Sequence, residues 1–335
     1  MDGEKSHAEH AYTFLKNKPW SALFVSLLFF LLTSLGAFVF YNIQLVSQAG
    51  WSPVLFRVME AASKYIVPGS ILVYIFLVLS SLHLNHLFVW MDPETVASDE
   101  VIQGKSGYLN TPFFLIRSAI YLIGWSVFQR VIINNENKQD KEYDHNLYKK
   151  NMTNAVLFLA FFAITESMAS WDWIMSIDTH WFSSLIGWFI FASMFVSGIT
   201  TVALITVYLK SKGYLEKVND SHIHDLAKFM FGISIFWTYL WFSQYMLIWY
   251  ANMPEEAVYY ISRIEDYQLL FLGSAALNFL FPLLILMNSD FKRVNWIITF
   301  AGVIILIGHY INFYVMITPG TVAGQWSISF AEVGA

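Results

Sequence analysis

Eight ionisable residues, His83, His86, Arg117, Glu166, Asp172, Asp178, His180 and His309, stand inside or beside the most apolar stretches of this 335-residue sequence. A charge at mid-bilayer costs about 2.5–3.5 kcal/mol even on the lenient translocon scale, so it is seldom kept there without a use. Imidazole and carboxyl groups take up and release protons and hydrogen-bond the ring oxygens of a quinol, which needs an apolar slot for its tail. Proton transfer and quinol binding are therefore the two chemistries these residues could serve. A second polar group, His222, His224, Asp225 and Lys228, follows Ser221. With Asn278, Thr201 and Thr206 it marks a candidate proton entry from the cytoplasm; a helix capped by Ser221 and wetted at its start is the plainer reading.

The elements that must position these groups are eight apolar stretches, at about 20–43, 66–90, 112–134, 152–170, 181–208, 226–249, 268–287 and 295–317. Each is long enough to cross a bilayer as a helix. Composition agrees: 57% hydrophobic and 13% charged residues leave too little polar surface to dissolve eight such helices in water. The expected fold class is thus an all-α membrane protein with eight transmembrane helices. The formal charge of −5 is spread through loops, so nothing indicates nucleic acid. The absence of cysteine excludes disulfides, cysteine-ligated iron–sulfur clusters and covalently attached c-type haem from this chain.

Tryptophans 20, 51, 90, 171, 173, 181, 249, 296 and 326 fall near the proposed ends, as interfacial belts predict. Lysine and arginine crowd the loops of one side, Arg57, Lys64, Arg130, Lys138, Lys141, Lys149, Lys150, Lys210, Lys212, Lys217, Lys228, Lys292 and Arg293, against Lys5, Lys16, Lys18, Lys105 and Arg263 on the other. The crowded side is expected to be cytoplasmic, with both ends of the sequence outside. Residues 53–65, opened by Ser52-Pro53, read as a helix lying on the cytoplasmic surface. Thr111-Pro112 opens the third span, and Met91-Asp92-Pro93 closes the second.

A rise of about 1.5 Å per residue then gives depth. His83 and His86, three apart on one helix face, lie roughly 10 and 6 Å below the outer end of the second span. Arg117, Glu166 and His309 lie about 8, 6 and 12 Å inside theirs, with Asp172, Asp178 and His180 in the connection above and Gln244 approaching from the sixth span. The expectation is one polar cluster in the outer leaflet. Plainer alternatives remain for each member: Arg117 and Glu166 as a structural ion pair, His83 and His86 as solvated interfacial groups, Asp178 as a cap of the fifth helix. Only one bis-histidine pair, His83 or His86 with His309, could hold a haem, so none is expected on this chain, and no metal site is assigned.

The motifs Trp90-Met91-Asp92-Pro93-Glu94, Trp171-Asp172-Trp173-Ile174-Met175-Ser176-Ile177-Asp178-Thr179-His180-Trp181-Phe182-Ser183 and His224-Asp225-Leu226-Ala227-Lys228-Phe229-Met230-Phe231 resemble NrfD/PsrC-type membrane subunits of respiratory oxidoreductases. Nearly the whole chain resembles the ActF type of bacterial alternative complex III, a quinol:electron-acceptor oxidoreductase. The resemblance implies two four-helix bundles, about 20–170 and 181–317, between an outer segment 1–19 and an outer segment 318–335. It also implies one extra helix at each end, absent from this sequence, and a place in the bacterial cytoplasmic (inner) membrane. Its implied partners are a second NrfD-like subunit, an iron–sulfur subunit and c-type haem subunits that carry the redox centres, with menaquinol or ubiquinol as reductant. Within such a complex the candidate residues would serve proton transfer linked to quinol oxidation elsewhere, or bind quinol directly, with His86 and Glu166 or Asp172 as proton acceptors; lipid is a further candidate ligand. A stand-alone ion or solute transporter is the competing class, but neither broken helices nor inverted repeats are evident in the sequence.

Overall fold

The computed structural model describes residues 2–324 and Trp326, with side chains from Lys16 onward. Among these residues the chain forms helices and no strand: α1 (Asp2–Val46), α2 (Phe56–Ser63), α3 (Ile66–Ser81), α4 (Pro93–Ser98), α5 (Glu100–Lys105), α6 (Thr111–Gln139), α7 (His145–Trp173), α8 (Ile186–Ser211), α9 (Asp220–Ala251), α10 (Pro254–Glu265), α11 (Gln268–Ala275), α12 (Phe281–Leu286) and α13 (Asn295–Val322). A π-helical stretch, Ala276–Leu280, joins α11 to α12. Eight stretches are long and apolar enough to cross a membrane: Lys16–Val46, Pro53–Ser81, Thr111–Gln139, His145–Ile177, Ile186–Ser211, Asp220–Ala251, Gln268–Leu286 and Asn295–Val322. The protein is a multi-pass α-helical membrane protein.

Helices α1 and α8 are its axis. Their apolar windows are 83% and 78% buried inside the protein, against 28% to 61% for the other six. Small residues let the two backbones touch: a Cβ at Gly36 would lie 2.1 Å from the Met194 carbonyl oxygen, and one at Gly198 would lie 2.3 Å from the Ala37 nitrogen. Close approach of this kind replaces the hydrophobic drive that lipid cannot supply between helices. Helices α3 and α7 pack on α1, α6 packs on α3 and α7, and α9 and α13 pack on α8, with α13 also on α1. One end of the assembly, here called upper, joins the post-α3 segment to α1, through His86 and Asn17, and α10 to α13, through Arg263. The lower end joins Arg57 to Asp140 and Lys210 to Asp220.

Several boundaries differ from the sequence reading. The second span ends at Ser81 and not near residue 90, because His83 adopts a left-handed φ of 58°. The His83 N–H bonds the Ser80 carbonyl at 3.0 Å and the Leu84 N–H bonds the Leu79 carbonyl at 3.3 Å, the paired bonds of a Schellman helix stop. His83 and His86 therefore do not share a helix face within a span; hydropathy ran on because Leu82, Leu84, Leu87 and Phe88 follow the stop. Asp92 does not close that span either: it caps α4, accepting from the Glu94 N–H.

The helix expected on the surface at 53–65 is short (α2) and runs into α3 through Lys64 and Tyr65, both with helical backbone angles. Residues 2–19, read as a segment ahead of the first span, continue its helix despite Pro19. Residues 318–322, read as outside the last span, belong to α13, while 327–335 lie outside the described residues. Asn219, not Ser221, caps α9, in a reciprocal capping box with His222. Trp90, Trp173 and Trp181 are buried in packing and not spread along an interface, whereas Trp249 and Trp296 are exposed.

Candidate functional site

The most completely built polar group joins α6 to α7. The Arg117 Nε and Nη2 groups donate to the two oxygens of Asp172 at 2.9 and 2.8 Å, a two-pronged pair. Nη1 donates to the Tyr108 carbonyl at 3.0 Å, and the Tyr121 hydroxyl donates to Asp172 at 3.0 Å. The guanidinium lies 3.9 Å from the Tyr108 ring centre and 4.1 Å from that of Phe113. Asp172 is fully buried in the last turn of α7, not in the loop above it. The ion pair expected between Arg117 and Glu166 is thus made with Asp172, because position 172 brings its carboxylate onto the α6 face beside Tyr121. Burial, reinforced by the Asp172 carboxylate, pushes the Tyr108 hydroxyl up to about 12. Two indoles brace the same contact, Trp173 donating to Ser118 and Trp125 to Thr165, each at 2.9 Å.

Glu166, six residues earlier on α7, turns to a different face. It is 4% exposed, takes a hydrogen bond from the Ser170 hydroxyl at 3.1 Å, and has no cation beside it among the described residues. Its carboxyl lines a cavity of about 260 Å³ between α1, α7 and α8, walled by Val39, Ile43, Phe162, Trp188 and Phe191. An acid in an apolar slot exchanges a proton more readily than a salt-bridged one, because no fixed cation holds it ionised.

The other upper residues form separate sites. His83 and His86 are exposed and line a cavity of about 340 Å³ with Asp92, Asn85 and Asn17. Asn17 holds the His86 backbone, and the Thr95 hydroxyl bonded to Asp92 keeps that carboxyl below its usual range. His180 pairs with Asp99 at 2.8 Å on the surface, near Lys105, whose ammonium burial pulls down. Asp178 does not cap the helix of the fifth span, whose N-cap is Leu185; its side chain accepts from Arg263 at 2.9 Å. Arg263 itself, read as a loop residue, is 1% exposed and stacks 3.3 Å from the Tyr259 ring centre.

His309 is fully buried on α13 with its ring edge-on to Trp237, centroids 5.3 Å apart. At the lower end, His224 meets Ser289 at 3.2 Å, Asp225 pairs with Lys228 at 3.0 Å, and His222 serves the capping box. Burial, then nearby Lys228, depresses the Lys292 ammonium beside them. The single cluster expected from depth resolves into Arg117–Asp172, Glu166, the His83–His86 cavity, the Asp178–Arg263 pair, the His180–Asp99 pair and His309, six sites toward one end. Sequence reasoning missed Tyr108, Tyr121, Trp237 and the burial of Arg263. The one available signal was Tyr259 standing four residues before Arg263 on an amphipathic helix.

Fold and polar interior together define a multi-pass helical membrane protein with ionisable groups held inside the protein. No protein-family model matches the chain, and comparison with curated proteins finds no match.

Proposed function

We propose that this chain is a redox-centre-free integral subunit of a respiratory quinol oxidoreductase of the alternative complex III kind, conducting protons coupled to quinol oxidation and holding partner subunits together. The observation that carries the reading is Glu166: a buried carboxyl with no cation beside it among the described residues, opening on an apolar slot inside a membrane protein. Buried acids without salt-bridge partners are what proton relays use. The family-like motifs around Trp90, Trp171 and His224 add the reaction class, two four-helix bundles, and partners bearing iron–sulfur and c-type haem centres. The basic loops at the lower end then face the cytoplasm of a bacterial inner membrane.

In a complex that retains assembly, Glu166→Gln is expected to lower protons released per electron; an unchanged ratio sinks the proton role. A second reading, direct quinol binding, is favoured by the slot itself, since Trp188 and Phe191 offer ring faces beside a proton-accepting carboxyl. A photoreactive quinone analogue should then label Trp188 or Phe191 and be displaced by menaquinol or ubiquinol. Failure to label leaves proton conduction alone.

A further inference from the structure

Across α8 from Glu166, the α9–α13 side carries several buried polar atoms that the described residues do not satisfy. Both ring nitrogens of His309, both amide atoms of Asn278, the indole nitrogen of Trp237 and the hydroxyl of Ser234 have no hydrogen-bond partner, and all four residues are at most 1% exposed. Each such group left dry costs on the order of 1–3 kcal/mol. They are close together. Ser234 and Trp237 share one face of α9, the Trp237 ring abuts His309, and the Asn278 amide lies against the backbone at Gly308, where a Cβ would meet its oxygen at 2.4 Å. Asn278 stands in the π-helical stretch, and such stretches recur at functional sites.

One turn above His309, Asn312 bonds Ser193 at 3.2 Å and borders a small cavity of about 20 Å³ shared with Gln244 and Arg263. A water needs roughly 10–15 Å³ and two to four polar partners, so this space suits a single water. Above it lies the Arg263–Asp178 pair.

We infer that His309, Asn278, Trp237, Asn312, Gln244 and Arg263 hold a column of bound water in the upper half of the α9–α13 side, and that His309 is its proton-carrying member. The imidazole takes a proton from water at one nitrogen and gives one to water from the other, so its charge is unchanged after the pass. The water column stands on geometry alone; its use for protons rests on the function proposed above.

Hydroxyl-radical labelling by X-ray radiolysis, on the protein as purified in lipid nanodiscs, reads bound water directly, because radicals form where water sits. Trp237 and Met316 should be oxidised about tenfold faster than Trp125 and Trp173, which are equally buried but have satisfied indoles. Equal rates at all four overturn the column, whatever Glu166→Gln does. Asn278→Leu should slow labelling at Trp237, and Gln244→Leu should slow it at Met316 if the first variant fails to assemble. Retained labelling in both variants also overturns the inference. Proton release unchanged in a variant that has lost its labelling removes the proton role and keeps the water.

Discussion

Asp172 and Glu166 are two carboxyls on one helix with opposite fates, and six residues of spacing decide it. At 172 the side chain meets a guanidinium fork and a tyrosine hydroxyl; at 166 it meets a serine and hydrocarbon. Removing one partner from a buried pair strands the other charge, which costs about 3–5 kcal/mol. Asp172→Asn is therefore expected to lower the thermal unfolding midpoint sharply, and Arg117→Lys to do nearly as much harm, since an ammonium cannot make the fork. The double change to Arg117→Leu with Asp172→Leu should cost less than the sum of its parts. Additive losses, measured by unfolding in nanodiscs, would mean the pair carries no coupling energy. The sequence showed that these residues were unusual but not which would pair, because pairing depends on the rotation of α6 against α7.

At the scale of elements, the α1–α8 contact is close enough to admit no side chain at Gly36 or Gly198. Gly36→Val is expected to abolish assembly or strongly lower the melting temperature. By contrast Gly232, also in a helix but with open space around it, should accept Ala with a gain of up to about 1 kcal/mol from helix propensity. Similar behaviour of the two variants in detergent-resistance assays would contradict the close-packed axis. Element existence was legible, since all eight spans were expected from length and apolarity. The stop at Ser81 was not, because a left-handed histidine inside an apolar run carries no hydropathy signal.

For the whole molecule, the testable consequence is sidedness. The chain has no cysteine, so a single introduced one reports its own location without background. Gly104→Cys, on the upper connection between α3 and α6, is expected to react with a membrane-impermeant maleimide in intact cells. Lys217→Cys, in the exposed loop between α8 and α9, should react only after permeabilisation. The reverse pattern would invert the proposed orientation and move the proton-releasing side with it.

Composition and apolar run length alone determined that the chain is helical, multi-pass and lipid-embedded, because the cost of unsatisfied backbone in hydrocarbon leaves few alternatives. They also picked out Arg117, Glu166, Asp172 and His309, since burying an ionisable group is expensive enough to stand out in a sequence. Which of these meet was decided only by tertiary structure. Depth along a helix can be counted from residue number, whereas azimuth depends on how each helix is rolled against its neighbours. That roll sent Asp172 to Arg117, Glu166 to an apolar slot and His309 to Trp237.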